Sequence, residues 1–224
     1  MPDMFEDLAV LPACLEDISI LQRDPEFLLI NKPTRLLSVP GRHPKNRDSV
    51  ITRLLVDFPT AAIVHRLDFD TSGIMVIPLN KKSLSHISKQ FQNRSTQKTY
   101  TAVVDGIIEK NNGVIDLPIA SDMENRPKYK ICTETGRQSV TEFTVVSRDE
   151  IAQTSRVLLH PITGRSHQLR LHMKAIGHPI LGCEFYADEV ALKKSSRLLL
   201  HATELEFDHP VIVKRIKGYC EPRF

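Results

Sequence analysis

The sequence predicts an α+β fold built on a mostly antiparallel sheet. Apolar runs of strand length outnumber amphipathic runs of helix length. Several strand runs follow one another through short turns, and fourteen prolines are spread along the 224 residues. A regular βαβ alternation would imply a doubly wound parallel sheet; strands joined by short loops imply antiparallel neighbours. With 41% hydrophobic residues the chain can bury a real core, which argues against disorder.

The elements follow in order. Phe27-Leu28-Leu29-Ile30 reads as a buried strand ended by Asn31-Lys32-Pro33. Asp48 is placed to cap a helix whose Val50, Ile51, Leu54, Leu55 and Phe58 share one face, with Pro59 past its end. Gly73 to Leu79 is a strand. Asn80 caps the next helix, with Leu84, Ile87 and Phe91 inward and its lysines outward. Tyr100 to Val104, closed by Asp105-Gly106, is a strand; Val140, Glu142, Phe143 and Val145 mark another. Arg156 to His160 and Leu198 to Phe207 complete the long strands. Pro161-Ile162-Thr163-Gly164 is a turn leading into a helical stretch that ends near Gly177. No repeat, low-complexity tract or Gly/Ser linker interrupts the chain, so one folded domain is expected over 24–224, after an extension of residues 1–23.

Composition removes several function classes. No stretch approaches the roughly 20 apolar residues of a membrane span, and the acidic Met1-Pro2-Asp3-Met4-Phe5-Glu6-Asp7 is not a secretory signal. Cys14, Cys132, Cys183 and Cys220 lie far apart with no Cys-x-x-Cys pair. They read as thiols in a reducing compartment, which implies the cytoplasm. Formal net charge is +3. The distribution says more: Lys81, Lys82, Lys89, Arg94 and Lys98 form an acid-free stretch, and Arg126, Lys128, Lys130 and Arg137 a second one. Such stretches are either solvated faces or phosphate contacts.

The residues with most chemistry are His65-Arg66-Leu67-Asp68-Phe69-Asp70-Thr71-Ser72, closed by Gly73 and followed by apolar Ile74-Met75-Val76-Ile77. This pattern sets the Asp68 carboxylate in a loop at the edge of a buried strand, where binding and catalytic groups concentrate; Asp70 suits turn duty. The second block runs from Pro161 to His172. Its Arg165 and Arg170 are five apart and do not stack on one helix face, so at least one points inward and needs an anion, for which Asp68 is the obvious candidate. A guanidinium beside a desolvated carboxylate holds it ionised, as a nucleophilic carboxylate must be. Tyr100, opening a strand, is either core or a ring on which a base stacks. Arg66, two residues before Asp68, faces the same side on an extended loop and suits insertion in place of an extruded base. His65, His167 and His172 lack metal-ligand spacing, so no metal is expected. A carboxylate-based hydrolase would want a paired acid, and only Asp70 is near.

Three separated blocks make the chain resemble the RluA family of pseudouridine synthases. They are Asn31-Lys32-Pro33 with Leu36-Leu37-Ser38-Val39-Pro40-Gly41-Arg42, the segment from His65 to Gly73, and Pro161 to His172 with Gly177-His178-Pro179-Ile180-Leu181-Gly182. Lys98-Thr99-Tyr100, Asn125-Arg126-Pro127 and Arg197-Leu198-Leu199-Leu200-His201-Ala202 fit as well. The likeness spans nearly everything from residue 24 onward. The short N-terminus and the Ser38 to Arg42 run look most like members that act on both tRNA and ribosomal RNA, and the leading segment is too short for an S4 domain.

The resemblance implies the pseudouridine synthase fold, a long mixed, mostly antiparallel sheet with flanking helices and a central active-site cleft. It implies isomerisation of uridine to pseudouridine without cofactor or metal. Asp68 would be the nucleophile, attacking C1′ of the ribose or C6 of the uracil. Tyr100 would stack on the base, Arg170 would pair with Asp68, and Arg66 would help flip the target nucleotide. His65, Leu169, Arg165 and Thr71 would contact substrate. The RNA partners expected are stem-loops of tRNA (the anticodon arm) and of large-subunit rRNA, and the protein is expected to act as a monomer. A non-catalytic RNA-binding protein or chaperone on the same fold is the alternative. Two positions depart from the family pattern: Arg35 replaces the glycine two residues after Asn-Lys-Pro, so the turn there is expected to differ, and Cys183 replaces the aspartate after Gly182. Both are expected to bear on the substrate rim and not on the chemistry.

Overall fold

A computed structural model of the protein describes residues 9–224; the acidic segment Met1 to Asp7 lies outside the described residues. The chain divides into two compact units, one formed by the described part of residues 1–96 with Glu204–Glu221, the other by Gln97–Thr203 with Pro222–Phe224.

The first unit contains β1 (Ser19–Arg23), β2 (Phe27–Lys32), α1 (Val50–Leu54), β3 (Ser72–Pro78) and α2 (Lys81–Gln92). It takes the C-terminal half of β10 (Leu200–Asp208), and β11 (Arg215–Tyr219). β2 pairs antiparallel with both β1 and β3, Phe27 lying opposite Pro78 and Lys32 opposite Gly73. β11 pairs antiparallel with β10. β1 has no counterpart among the expected elements, because its residues are mostly exposed and carry no apolar run. β3 is buried along its whole length and β2 along nearly all of it. That explains the continuous apolar runs in the sequence: a strand covered on both faces has no polar side to alternate with. Phe27 packs edge-on against Phe207, ring centres 5.1 Å apart.

α2 begins at Asn80, whose side chain accepts from the Ser83 N–H, as the sequence implies. Ile87 is fully buried, while Lys81, Lys82 and Lys89 are exposed. Asn80 Nδ2 (2.8 Å) and Ser83 Oγ both donate to Glu26, and these bonds hold the Glu26 carboxyl below its ordinary pKa. α1 departs from expectation. Its cap is Ser49, not Asp48: Ser49 is extended (φ −161°) and shares a capping box with Thr52, each side chain accepting the other's backbone N–H. Asp48 sits one residue too early to cap and binds Arg53 at 2.7 Å instead. The helix stops at Leu54, so Leu55 and Phe58 lie beyond it.

The second unit contains β4 (Gln97–Asp105), β5 (Asn112–Asp116), β6 (Ile119–Ser121), β7 (Tyr129–Ile131), β8 (Val140–Asp149) and β9 (Thr154–Pro161). It also holds α3 (Gln168–Ala175), α4 (Glu189–Lys193) and the N-terminal half of β10. Strand order is β10-β4-β9-β8-β5, with β4–β9, β9–β8 and β8–β5 antiparallel. β6 and β7 form a separate antiparallel hairpin. The core gathers Val104 and Ala102 from β4, Phe143 from β8, Val157 and Leu159 from β9, and Leu169, Leu171 and Met173 from α3. The strands outnumber the helices and every pairing given above is antiparallel, so the α+β expectation holds.

Candidate active site

Asp68 heads a β-turn: its carbonyl accepts the Thr71 N–H at 3.2 Å, with Phe69 and Asp70 at the bend. The segment from His65 to Thr71 is irregular backbone leading directly into β3. Asp68 is half-buried, Arg66 exposed, and Thr71 buried. The first family-like block holds this turn in place. The Lys32 ammonium, fully buried, donates to the carbonyls of Pro33 (2.9 Å), Leu36 (2.7 Å) and Phe69 (3.1 Å). Thr34 Oγ1 donates to the Asp70 carbonyl at 2.7 Å. Ser38 Oγ donates to the Leu67 carbonyl (2.8 Å) and accepts the Leu67 N–H (3.1 Å). Backbone groups on both sides of Asp68 are therefore tied to a segment some thirty residues earlier, which fixes the acid's backbone. Lys32 and Ser38 carried no role in the sequence reading. The available signal was a lysine inside an apolar strand, since a buried ammonium must find acceptors.

Arg35 adopts φ 56°. Arginine thus adopts at this turn the left-handed conformation that it ordinarily tolerates poorly. The bond from Lys32 to the Leu36 carbonyl and the bond from Thr34 to the Asp70 carbonyl flank Arg35 and hold it there. His65 accepts the Val76 N–H at Nε2 (3.1 Å) and stacks on Phe91, with ring centres 4.6 Å apart. Its ring anchors the start of the loop to β3 and α2.

Arg170 lies in the second unit, in the first turn of α3, and is 2% exposed. Of the two arginines that the spacing singled out, it is the one that turns inward. Arg165 precedes the helix instead of sharing it: its N–H donates to Gln168 Oε1 (3.0 Å) and its Nε to the Gln138 carbonyl (3.3 Å). The Arg170 guanidinium lies 5.0 Å from the Phe185 ring centre and 5.5 Å from that of Tyr186, and its Nε donates to Cys183 Sγ at 3.2 Å. Cys183 therefore touches this arginine, which corrects the expectation that the departure from the family pattern bears only on the rim. Leu169 belongs to the core, and Tyr100, partly buried opposite Leu159, packs against that core.

Two histidines of the second block have separate duties. His167, at the helix N-cap, adopts φ 56° and makes no capping bond with its side chain; its Nδ1 hydrogen-bonds Tyr186 Oη at 2.8 Å. His172 is fully buried between Thr141 Oγ1 (2.9 Å, at Nδ1) and the Leu117 carbonyl (3.0 Å, at Nε2). Gln168 Nε2 already donates to Thr141 Oγ1, so the Thr141 hydroxyl proton is available to Nδ1 and the imidazole donates from Nε2. Burial pushes the His172 pKa down, consistent with a neutral ring clasping α3 to the sheet.

Comparison with known proteins agrees with these blocks. The family model for RNA pseudouridylate synthase matches residues 26–175. A curated relative from Yersinia pestis, the dual-specificity RNA pseudouridine synthase RluA, is 51% identical over 205 residues, covering 92% of this chain and 99% of its own. The protein of the same name from Escherichia coli K12 is 49% identical over 191 residues, with 85% and 87% covered. Among solved structures, human RNA pseudouridylate synthase domain containing 1 aligns with a TM-score of 0.78 at 28% identity, covering 94% of this chain and 85% of that one. On the family match and the two close relatives, this chain belongs to the RNA pseudouridylate synthases, isomerases that convert uridine in RNA to pseudouridine.

Proposed function

We propose that Asp68 is the nucleophile of this isomerisation and that the enzyme has dual specificity, modifying a uridine in the tRNA anticodon arm and one in a hairpin of 23S rRNA. The observation that carries the reading is the clamp on Asp68: Lys32, Thr34 and Ser38 hold the backbone on both sides of one carboxylate in a member of this family. A fixed backbone is what a nucleophile needs to meet a reacting carbon in line. The substrate range rests on relatives about half identical in sequence whose names carry dual specificity.

In this reading the target nucleotide leaves its stack at a cost of a few kcal/mol, offset by stacking on Tyr100, worth roughly 1–3 kcal/mol, and by Arg66 entering the vacated space. The Asp68 carboxylate attacks at C1′ or C6, the C1′–N1 bond breaks, and the uracil turns while held. C5 then bonds to C1′, the bond to Asp68 breaks and returns the free carboxylate, the C5 proton is removed and N1 gains one, so uridine and product are isomers. Tyr100 assists the proton removal. Arg170 offsets the negative charge of the Asp68 carboxylate, Leu169 lines the base pocket, and His65, Thr71 and Arg165 contact the nucleotide. The enzyme works as a monomer in the cytoplasm, without cofactor or metal; among the described residues no helix is long and apolar enough to cross a membrane.

The test is Asp68→Asn, which keeps the turn and removes the nucleophile. Pseudouridine formation should fall by more than about a thousandfold while RNA binding persists; substantial turnover would refute the assignment. Mapping pseudouridines in tRNA and rRNA from cells with and without the protein checks the substrates. A site lost from only one RNA class would contradict dual specificity.

A further inference from the structure

Arg170 is held by a built surround within its own unit. Phe185 and Tyr186 wall its guanidinium, and both walls are themselves fixed. Tyr186 Oη accepts the Tyr129 N–H at 2.9 Å and bonds His167 Nδ1; Phe185 stacks on His167 with ring centres 5.5 Å apart. The Nε edge points to Cys183 Sγ, which has no exposed surface. Cys183 is itself set tightly. Gly182 before it has φ +67°, and a Cβ there would lie 2.0 Å from the Arg197 carbonyl oxygen, so only glycine fits. The Cys183 carbonyl accepts the N–H groups of Tyr186 and Ala187 at 3.2 and 3.0 Å. One short turn thus delivers the sulfur and both aromatic walls to the same arginine.

We propose that Cys183 is a positioning residue for Arg170: its sulfur sets the direction of the Nε–H and so the plane of the guanidinium against Phe185 and Tyr186. A thiol sulfur is a weak acceptor, and it orients the group while drawing little of its charge. This inference rests on the reading in which Arg170 serves the isomerisation.

The experiment compares Cys183→Ala, Cys183→Ser and Arg170→Ala in the full chain. It measures kcat and KM on an RNA stem-loop, thermal stability, and the Arg170 Nε–H signal by ¹⁵N NMR without RNA. Cys183→Ala should lower kcat about tenfold, leave KM within about twofold, and move the Nε–H signal with faster solvent exchange. Cys183→Ser, which keeps an acceptor, should restore kcat to within about threefold and keep the signal protected. Wild-type kcat in Cys183→Ala overturns the proposal. So does an equal loss in Ala and Ser variants that tracks thermal stability, which would mean packing alone. Wild-type turnover in Arg170→Ala would strike at the proposed function instead, and the Nε–H signal, read without substrate, separates that failure from an absent Cys183 contact.

Discussion

The Lys32 ammonium donates to the carbonyl of Phe69 at 3.1 Å, and Phe69 is the residue after Asp68. Three backbone carbonyls converge on this one buried cation, two from its own turn and one from the loop bearing the acid. Lys32→Met keeps an unbranched apolar stem close to the same length and removes all three bonds. Hydrogen bonds to a charged group contribute about 1.5–3 kcal/mol each, but the variant no longer buries a charge. A net loss of about 2–4 kcal/mol in urea denaturation is expected, together with a lower kcat. Unaltered stability and turnover would show that the clamp is idle.

Arg35 holds a left-handed conformation (φ 56°). That conformation costs a residue with a Cβ roughly 1–2 kcal/mol, whereas glycine adds about 0.4–1 kcal/mol of unfolded-state entropy. The first effect is the larger, so Arg35→Gly should be more stable than Arg35→Ala by up to about 1 kcal/mol, seen as a higher urea midpoint with an unchanged slope. A lower midpoint would contradict the strain argument.

His172 gives stability a pH dependence whose sign follows from its depressed pKa. Burial is the main cause, opposed by the bond to the Leu117 carbonyl and by the charge of Asp116. Below about pH 6.5 the unfolded chain takes up a proton here and the folded chain resists it. This contribution is therefore complete above pH 6.5 and declines as the pH falls toward the folded-state value. His172→Gln should flatten that part of the curve, costing about 1–2 kcal/mol at pH 8 and less under acid. Parallel wild-type and variant curves from pH 8 to 5 would remove His172 as the source.

The exposed Lys81, Lys82 and Lys89 of α2 belong to the acid-free stretch. If this face tracks phosphates, each lysine engaged adds about 0.7–0.9 to the slope of log affinity against log salt. Lys81→Ala with Lys82→Ala should weaken RNA binding at low salt and lower the slope by about 1.4–1.8. An unchanged slope would make these lysines a solvated helix face.

The legible parts of this molecule were local ones. The buried strands β2 and β3 were visible as apolar runs, and the Asn80 cap of α2 as a polar residue ahead of an amphipathic period. That Arg165 or Arg170 turns inward was expected from their spacing, but only the structure assigned this to Arg170 and set Arg165 ahead of the helix. β1 was invisible, because an exposed strand has no hydrophobic signature, and the α1 cap fell to Ser49 because its capping box with Thr52 outweighs a neighbouring aspartate.

By itself the sequence determined the α+β class and the family to which the chain belongs, since these are written in runs and motifs of a dozen residues or fewer. Only the tertiary structure decided that Lys32 holds the turn of Asp68, that Cys183 bonds Arg170, and that His172 clasps a helix. Each of those contacts joins residues that spacing alone does not pair: thirty-seven positions separate Lys32 from Phe69, thirteen separate Arg170 from Cys183, and thirty-one separate His172 from Thr141. A buried polar group announces that it needs a partner, but which partner it finds depends on how distant segments are brought together in the fold.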